Sequence, residues 1–453
     1  MTPSEYLKNK KVLVMGLGLL GGGIATTKWL VKHGAKVTVT DLKSRADLSS
    51  SIKALGSAAK KIKLVLGKHN ESDFKNNQII VVNPAVPKES PYLKIAREAG
   101  AILENEASLF FRFCKNPIIG VTGTRGKTTT ANWILHFLKQ KFPNSVLTGN
   151  SSDSPMLGVL DSLDEKSPVV VELSSWHLEL LPVSEKSPHI AVITNIYPDH
   201  LNRYKDIAEY AEAKANIFKH QTKNDFLILN KKNPWTNFYL KQKPASQVLF
   251  THFPPSSHLI PFSFLHLGDH NIQNLITASL AANLAGVDWK TIKKAIKTLP
   301  QIKFRQEIIL KDKNLTVVND TTATSPDATI AALNRFTHQG LTLILITGGT
   351  SKNLEFDDWA KSVKKYIKPA NLFLLDGSAT KKMLDSLGEK YFKNTRPQLF
   401  IDFSTLLTSA VKHAKLIKGK KILLFSPAAA SFEKFKNEFD RGERFNQFFK
   451  ERS

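Results

Sequence analysis

Short apolar runs, closed by polar residues, glycine or proline, alternate with longer segments of helical spacing along the whole chain. Such alternation predicts parallel strands joined by crossover helices. From Lys11 the chain reads V-L-V-M-G-L-G-L-L-G-G-G, then a helical stretch to His33-Gly34, then A-K-V-T-V-T-D ending at Asp41. This is strand, glycine turn, helix and strand with an acidic tip. A further strand, Q-I-I-V-V-N, stops at the turn N-P-A-V-P, Asn83 to Pro87. The apolar run Pro117, Ile118, Ile119 leads through G-V-T-G-T-R-G-K-T-T-T into a segment with Trp133, Ile134, Phe137 and Leu138 at helical spacing. Strands P-V-V-V-E-L, I-A-V-I-T-N and F-L-I-L-N follow, ending at Leu173, Asn195 and Asn230. A Pro/Ser-rich stretch near residue 254 reads as loop. The helical pattern after it stops at Gly286. From about Gln301 come T-V-V-N-D, L-T-L-I-L-I-T-G-G, N-L-F-L-L-D-G and K-I-L-L-F-S-P, again separated by helices.

A chain of 453 residues is too long for a single core. The pattern divides into three α/β domains, 1–115, 116–300 and 301–453. The first is a Rossmann-like unit, the second a P-loop ATPase-type mainly parallel sheet, and the third a Rossmann-like doubly wound sheet.

Composition narrows the class. A single cysteine, Cys114, flanked by Phe110, Phe111 and Phe113, excludes a disulfide framework and fits a reducing cytoplasm. The first residues lack the apolar region of a signal peptide, and no run is long enough to span a membrane. The formal net charge of +25 raises nucleic acid as a partner. Lysines are spread through every segment, however, and form no single basic stripe. A solvated lysine-rich surface that steers polyanionic small substrates is the better reading, and no nucleic-acid partner is expected.

The candidate chemistry centres on Gly120 to Thr130. Glycines 123 and 126 admit backbone amides to phosphate oxygens, Lys127 can reach the terminal phosphates and Thr128 can ligate magnesium. Gly123, Thr124, Arg125, Gly126, Lys127, Thr128 and Thr129 are therefore the expected ATP-binding loop. Val121 stands where the general P-loop pattern has glycine. Glu172, at the end of a buried-type strand, is placed to hold magnesium beside that loop. Asp199 and His200 follow the next strand directly, and His200 can ligate a metal or donate to a phosphate, although a lone histidine is more often structural. Gly16, Gly18 and Gly21 fit G-x-G-x-x-G in a nucleotide-binding context.

The motifs T-G-T-R-G-K-T-T, E-L-S-S-W-H-L-E, N-I-Y-P-D-H-L-N-R-Y, Y-A-E-A-K, G-D-H-N-I-Q-N, V-N-D-T-T-A-T and S-P-A-A-A-S-F-E-K-F-K-N resemble those of the Mur ligases over essentially the whole chain. The nearest branch is the one that adds D-glutamate to UDP-N-acetylmuramoyl-L-alanine. Folylpolyglutamate synthetases share the phosphate-loop variant and lack the N-terminal unit. The resemblance implies an ATP-dependent ligase of peptidoglycan precursor synthesis, working through an acyl phosphate as a cytoplasmic monomer. Its N-terminal glycine loop is expected to hold UDP, with Leu17, Gly18, Asp41, Asn83 and Ala85 as contacts and Asn150 at the muramoyl portion. Thr128, Glu172, His200 and Lys214 match the magnesium set, with two magnesium sites, one through a carbamylated Lys214. Asn271, Asn274, Arg305 and Asp320 match the remaining ATP contacts, and Thr324, Lys352, Ser431 and Phe432 the surroundings of the incoming amino acid. Lys127, His200, Lys214 and Arg305 are the expected catalytic residues. A helix cap is the alternative role for Ser431.

The chain departs from that branch at several points. N-D-T-T-A-T places Thr322 where a lysine is common, and Glu438 stands where an aromatic residue follows the asparagine. G-N-I-G is here G-N-S-S, and L-P-H-R is expanded to L-P-Q-I-K-F-R. Thr322 and Glu438 touch the amino-acid pocket and keep L-glutamate open as the added residue. A nucleic-acid-stimulated P-loop ATPase, from net charge, and a nicotinamide-dependent oxidoreductase, from G-L-G-L-L-G, are the readings from other classes.

Overall fold

The computed structural model describes residues 1–19, 21–150, 154–201, 203–251, 267–337 and 341–451. The Pro/Ser-rich stretch near residue 254 and both serines of G-N-S-S lie outside them. Three sheets form the framework. The first contains β1 (Lys11–Met15), β2 (Lys36–Asp41), β3 (Lys63–Leu66), β4 (Ile79–Val82) and β5 (Ile102–Glu104), in the order β3-β2-β1-β4-β5. All its pairings are parallel. The strand order reverses between β1 and β4, so the glycine turn after β1 and the Asn83 turn after β4 open at one crevice.

The second sheet contains β6 (Ile118–Thr122), β7 (Val146–Gly149), β8 (Val169–Glu172), β9 (Ile190–Ile193), β10 (Phe226–Asn230) and β11 (Gln247–Thr251). Its order is β11-β10-β9-β6-β8-β7, and it too is wholly parallel. Central β6 is buried at every position, and Pro188 and Ile217 press on its Gly120. In the third sheet β12 (Glu307–Lys311), β13 (Leu315–Asn319), β14 (Thr342–Gly348), β15 (Leu372–Leu375), β16 (Gln398–Phe400) and β17 (Lys421–Phe425) run in the order β12-β13-β17-β14-β15-β16. Edge strand β12 pairs antiparallel with β13, because only a short turn at Asp312–Asn314 joins them. The loops after β13, β14 and β17 leave from three adjacent strands.

By packing, the chain forms two compact units: Met1–Ile260 with Gln273–Leu299, and Pro261–Ile272 with Pro300–Ser453. Within the first unit one apolar core runs from Val12, Val14 and Trp29 through Leu109, Phe110 and Phe111 to Val171, Ala191 and Leu227, and a second gathers Leu13, Met15, Phe74 and Ile80. The helix Glu106–Phe113 therefore fastens the first sheet to the second. Its start is set by a capping box, in which the Asn105 side chain accepts from the Ser108 amide at 2.8 Å and the Ser108 hydroxyl accepts from the Asn105 amide at 2.8 Å. Cys114 ends this helix and is buried, as a small packed residue. In the second unit, Val318, Leu345 and Leu424 lie in the core on one face of the sheet, and Val317, Ile344 and Phe425 in that on the other.

Glu106 is a charged-type side chain within the first core. Its Oε1 accepts from the Leu157 amide at 3.2 Å, and burial pushes its carboxyl up to about 7, against the pull of the Leu157 and Met156 amides. A folded-state pKa above the ordinary 4.5 means that the folded protein favours the neutral acid. This contribution to stability is fully present below pH 4.5 and is lost as pH rises through about 7. Replacing Glu106 by Gln removes the titration. The melting temperature of E106Q relative to the parent is expected to rise by about 2–5 °C between pH 4.5 and 7.5. Thermal melts at the two ends of that range check it, and a difference independent of pH contradicts it.

Candidate active site

The turn between β6 and the helix Lys127–Leu138 is shaped by two positions that admit no side chain. Gly123 has φ 138° and Gly126 φ 80°. A Cβ on Gly123 would stand 2.0 Å from Thr194 Oγ1, and one on Gly126 would stand 2.3 Å from Asn274 Oδ1. The turn is thus pressed between the loop after β9 and the helix Asp269–Leu284. Asn195 holds it from below: its carbonyl accepts from the Thr124 amide at 2.8 Å and its Oδ1 from the Arg125 amide at 2.9 Å. Lys127 Nζ donates to the Gly123 and Thr124 carbonyls, both at 3.1 Å, so the ammonium spans the turn it belongs to. Thr129, in the first turn of the helix, is buried. A helix N-terminus, a lysine and glycine-opened amides together make an anion site.

Around this turn the second sheet supplies carboxylates. Glu172, the last residue of β8, is buried, and its Oε1 accepts from Thr128 Oγ1 at 3.2 Å and from Asn150 Nδ2 at 3.4 Å. Asp199 pairs with Arg125 at 2.9 Å. His200 sits in the left-handed region at φ 55°, with its amide donating to Asp199 Oδ1 at 3.0 Å and its ring against Trp176 and Tyr210. Lys214 is only 1% exposed. Its Nζ donates to Thr122 Oγ1 at 3.3 Å and lies 4.7 Å from the centre of the Tyr210 ring. Burial holds its ammonium well below the usual lysine range; Lys127 adds to this, and Asp199 and Glu172 oppose it. Burial thus works against the charged form.

Thr128 and Glu172 suit magnesium, which takes one or two carboxylates and completes its shell with water and substrate phosphates. Among the described residues no group of three or more histidine, cysteine, aspartate or glutamate side chains forms an all-protein cage. A hydroxyl and a buried carboxylate 3.2 Å apart beside an anion loop match such a donor set.

At the crevice of the first sheet, Asp41 Oδ2 accepts from the Leu17 and Gly18 amides at 3.0 and 3.1 Å, and Oδ1 from the Lys43 amide at 2.9 Å. The carboxylate thus sets the glycine turn. Across the crevice Asn83 Nδ2 donates to the Gly16 carbonyl at 3.3 Å, while Asn83 Oδ1 accepts from the Ala85 amide at 3.1 Å. A Cβ on Gly16 would lie 2.9 Å from Asn83 Cβ, so only glycine lets the two turns meet. Leu17, Gly18, Asp41, Asn83 and Ala85 form one cluster here, and Asn150 lies instead at Glu172.

In the second unit, Asp320 follows β13 and is buried, with Oδ1 accepting from the Gln306 amide at 3.1 Å and Oδ2 from Ser426 Oγ at 2.9 Å. Burial pushes its carboxyl up to about 7, while those two bonds and the charges of Arg305 and Arg335 pull it down. Lys352 Nζ donates to Thr324 Oγ1 at 3.1 Å. Reciprocal hydrogen bonds between Thr350 and Ala430, both 2.9 Å, bring the β14 and β17 loops together and set Ser431 near Lys352 in the chain path. The Ser431 hydroxyl is buried without a partner among the described residues, so it does not cap the following helix. Phe432 beside it is exposed. Thr322 turns inward and donates to the Phe304 carbonyl at 2.8 Å. Asn271 and Asn274, one turn apart on the helix Asp269–Leu284, fall to different units.

Some participants have no sequence signal of their own. Arg441 is fully buried and donates to the Thr321 hydroxyl and carbonyl and to the carbonyls of Ala429 and Ala430, at 2.8–3.1 Å. It joins the β13 turn to the β17 loop, and burial brings its guanidinium down to about 9. The signal that points to it is the next residue: a Cβ on Gly442 would lie 2.5 Å from Thr321 Cγ2. Tyr210, whose hydroxyl is 3.3 Å from Thr124 Oγ1, is a second such residue.

Comparison with known proteins gives the same outline. Residues 121–258 match the Mur ligase middle domain, and residues 10–103 match the N-terminal domain of MurD-like Mur ligases. The UDP-N-acetylmuramoylalanine–D-glutamate ligase of Roseiflexus sp. is 38% identical, over 97% of this chain and 98% of that protein. Its namesake in Borreliella afzelii is 38% identical over 98% of both chains, and that of Clostridioides difficile 32% identical over 97% of this chain and 98% of that one. Among solved structures, a MurF from Acinetobacter baumannii superposes with a TM-score of 0.59 at 14% identity, covering 96% of this chain and 92% of that one. The MurF ligase of Thermotoga maritima, solved in complex with ADP, gives 0.57 at 15% identity, covering 99% and 97%. At these identities the structural likeness concerns the fold alone.

Proposed function

The chain belongs to the Mur ligase family, and we propose that it is an ATP-dependent amide ligase that adds D-glutamate to UDP-N-acetylmuramoyl-L-alanine, releasing ADP and phosphate, in peptidoglycan precursor synthesis. The observation that carries this reading is the turn Gly123–Thr128, with its lysine folded over it and its threonine bonded to a buried carboxylate. A carboxylate resists attack by an amine until one of its oxygens becomes a leaving group. Transfer of the γ-phosphoryl of ATP to that oxygen gives an acyl phosphate and ADP. The glutamate amine then adds to the acyl carbon, phosphate leaves with the bridging oxygen, and an amide remains.

In this scheme Lys127 and the loop amides hold the triphosphate and offset charge as the phosphoryl group moves. Thr128 and Glu172, with His200 as a further candidate, would hold magnesium, which when bound would supply charge neutralisation for the transfer. Leu17, Gly18, Asn83 and Ala85 bind the UDP portion on a crevice that Asp41 shapes, and Asn150 the muramoyl portion. Asn271, Asn274, Arg305 and Asp320 take the rest of the nucleotide. The Lys352 ammonium and the unpartnered Ser431 hydroxyl receive the carboxylates of glutamate, beside Thr324 and Phe432. Water has to be kept from the acyl phosphate, which would otherwise hydrolyse.

Lys214 has a further part in the proposal. A buried, neutral amine is the form that adds to carbon dioxide, giving a carbamate and a proton. The resulting anion would be a ligand for a second magnesium, which an ammonium would repel. No described helix is long and apolar enough to cross a membrane. The proposed setting is the cytoplasm, with a monomer acting on small molecules and without nucleic acid.

Two outcomes test the ligase reading. Phosphate release is expected to require ATP, UDP-N-acetylmuramoyl-L-alanine and D-glutamate together. Equal or faster release with L-glutamate would assign the other enantiomer, for which Thr322 and Glu438 supply the motive, and release without the UDP-linked substrate would sink the ligase reading. Lys214→Ala is expected to lose roughly 10²-fold or more in kcat, within the range for loss of a group that stabilises transition-state charge. Small carboxylic acids should restore part of it by taking the place of the carbamate. Absence of rescue across a series of acids, in a variant that still melts cooperatively, contradicts carbamylation.

A further inference from the structure

Arg203 lies outside the machinery described so far, yet it touches both turns that this machinery depends on. Its guanidinium uses every edge. Nε and Nη2 donate to the two oxygens of Glu179 at 2.9 and 2.6 Å, as a bidentate pair. Nη1 donates to the carbonyls of Pro84 and Val86 at 3.2 and 3.0 Å. These carbonyls belong to the turn Asn83–Val86 of the first sheet, which Asn83 closes internally and ties to Gly16 from its other side. The side chain is 12% exposed, and Glu179, which also accepts from Tyr204 at 2.7 Å, is held rigidly enough to orient it.

The opposite end of Arg203 is fastened to the second sheet. Its amide donates to the His200 carbonyl at 2.9 Å, as does that of Tyr204 at 3.1 Å, which stabilises His200 at its positive φ. The face of the guanidinium lies 5.2 Å from the centre of the Trp176 ring, and that ring meets the His200 imidazole edge to face at 5.4 Å. Trp176 is fixed in turn because Asn105 Nδ2 donates to the carbonyls of Trp176 and His177. A guanidinium alone serves all of this, since a lysine ammonium has neither the planar fork nor the stacking face.

We propose that Arg203 is a positioning residue that couples the substrate turn Asn83–Val86 to the His200 turn through Trp176, so that the UDP-linked carboxylate and the phosphoryl-transfer site are held in register. This inference rests on the ligase reading above. Displacement of reacting groups by an ångström costs far more in rate than in folding. Loss of Arg203 therefore loosens one turn, read as substrate affinity, and shifts the other, read as turnover.

The experiment compares R203K, E179Q and W176L with the parent in melting temperature, binding of UDP-N-acetylmuramoyl-L-alanine by equilibrium titration, and steady-state kinetics. R203K is expected to bind that substrate about tenfold more weakly and to lose about tenfold in kcat, with KM for ATP within about twofold and melting within a few degrees of the parent. E179Q, which keeps the arginine, should move the same two quantities in the same direction, and carries the test if R203K does not fold. W176L should lower kcat, and its loss should overlap with that of R203K in the double variant rather than multiply. A merely structural role would lower the active fraction and leave substrate affinity per active site unchanged; that result, or multiplicative losses, overturns the proposal. If the parent itself binds no UDP-linked substrate, the ligase reading falls first and this inference with it.

Discussion

The backbone between Thr122 and Lys127 has to pass two points where there is no room for a Cβ, and the rest of the molecule is arranged around that restriction. Thr194 and Asn274 stand so close to Gly123 and Gly126 that a Cβ at either place would force a neighbour to shift, and both glycines have positive φ. The loop after β9 and the helix Asp269–Leu284 thereby become walls of the turn. In consequence the amides of the turn and the first residues of the helix Lys127–Leu138 are fixed before any phosphate arrives, and association does not have to order them. Thr128, one residue past the lysine, is then within reach of Glu172 only because β8 is the immediate neighbour of β6 in parallel register, Val121 opposite Glu172.

Charge is distributed with the same economy. Lys127 and Lys214 would repel each other if both were protonated, and burial settles the matter by disfavouring the charge on Lys214. Asp199 is matched by Arg125, and Glu179 by Arg203, whereas Glu172 accepts from the uncharged side chains of Thr128 and Asn150. In the second unit the opposite problem is solved: Arg441 spends its donors on four backbone and hydroxyl oxygens and shapes the loop that presents Ser431. One unit thus carries a glycine-opened loop beside a buried carboxylate, and the other a buried hydroxyl, Ser431, and an ammonium, Lys352.

The legibility of this fold in the sequence follows from burial. Strands inside the three sheets, such as I-I-V-V in β4, V-V-V-E in β8 and K-I-L-L-F in β17, are covered on both faces and read as unbroken apolar runs. Strands β3, β5, β7, β11, β12 and β16 are the six sheet edges, and none of them is buried at every position. K-L-V-L, Q-V-L-F-T and Q-L-F are partly exposed at most positions, and their polar residues hide them. The site divides in the same way. Contiguous motifs brought Lys127, Thr128, Glu172, His200 and Lys214 to notice. Contacts between distant segments did not show: Asp41 bonded to the amides of its own glycine turn, Arg203 reaching Pro84, and Arg441 reaching Thr321.

The central claim is that the Gly123–Thr128 turn delivers a phosphoryl group to the carboxylate of the UDP-linked substrate. Its most direct test is to label that carboxylate with ¹⁸O and analyse the phosphate released during ligation by mass spectrometry. One labelled oxygen in each phosphate is predicted, because the bridging oxygen leaves with phosphorus. Unlabelled phosphate, formed alongside the amide, would mean that the carboxylate is never phosphorylated, and would contradict the account.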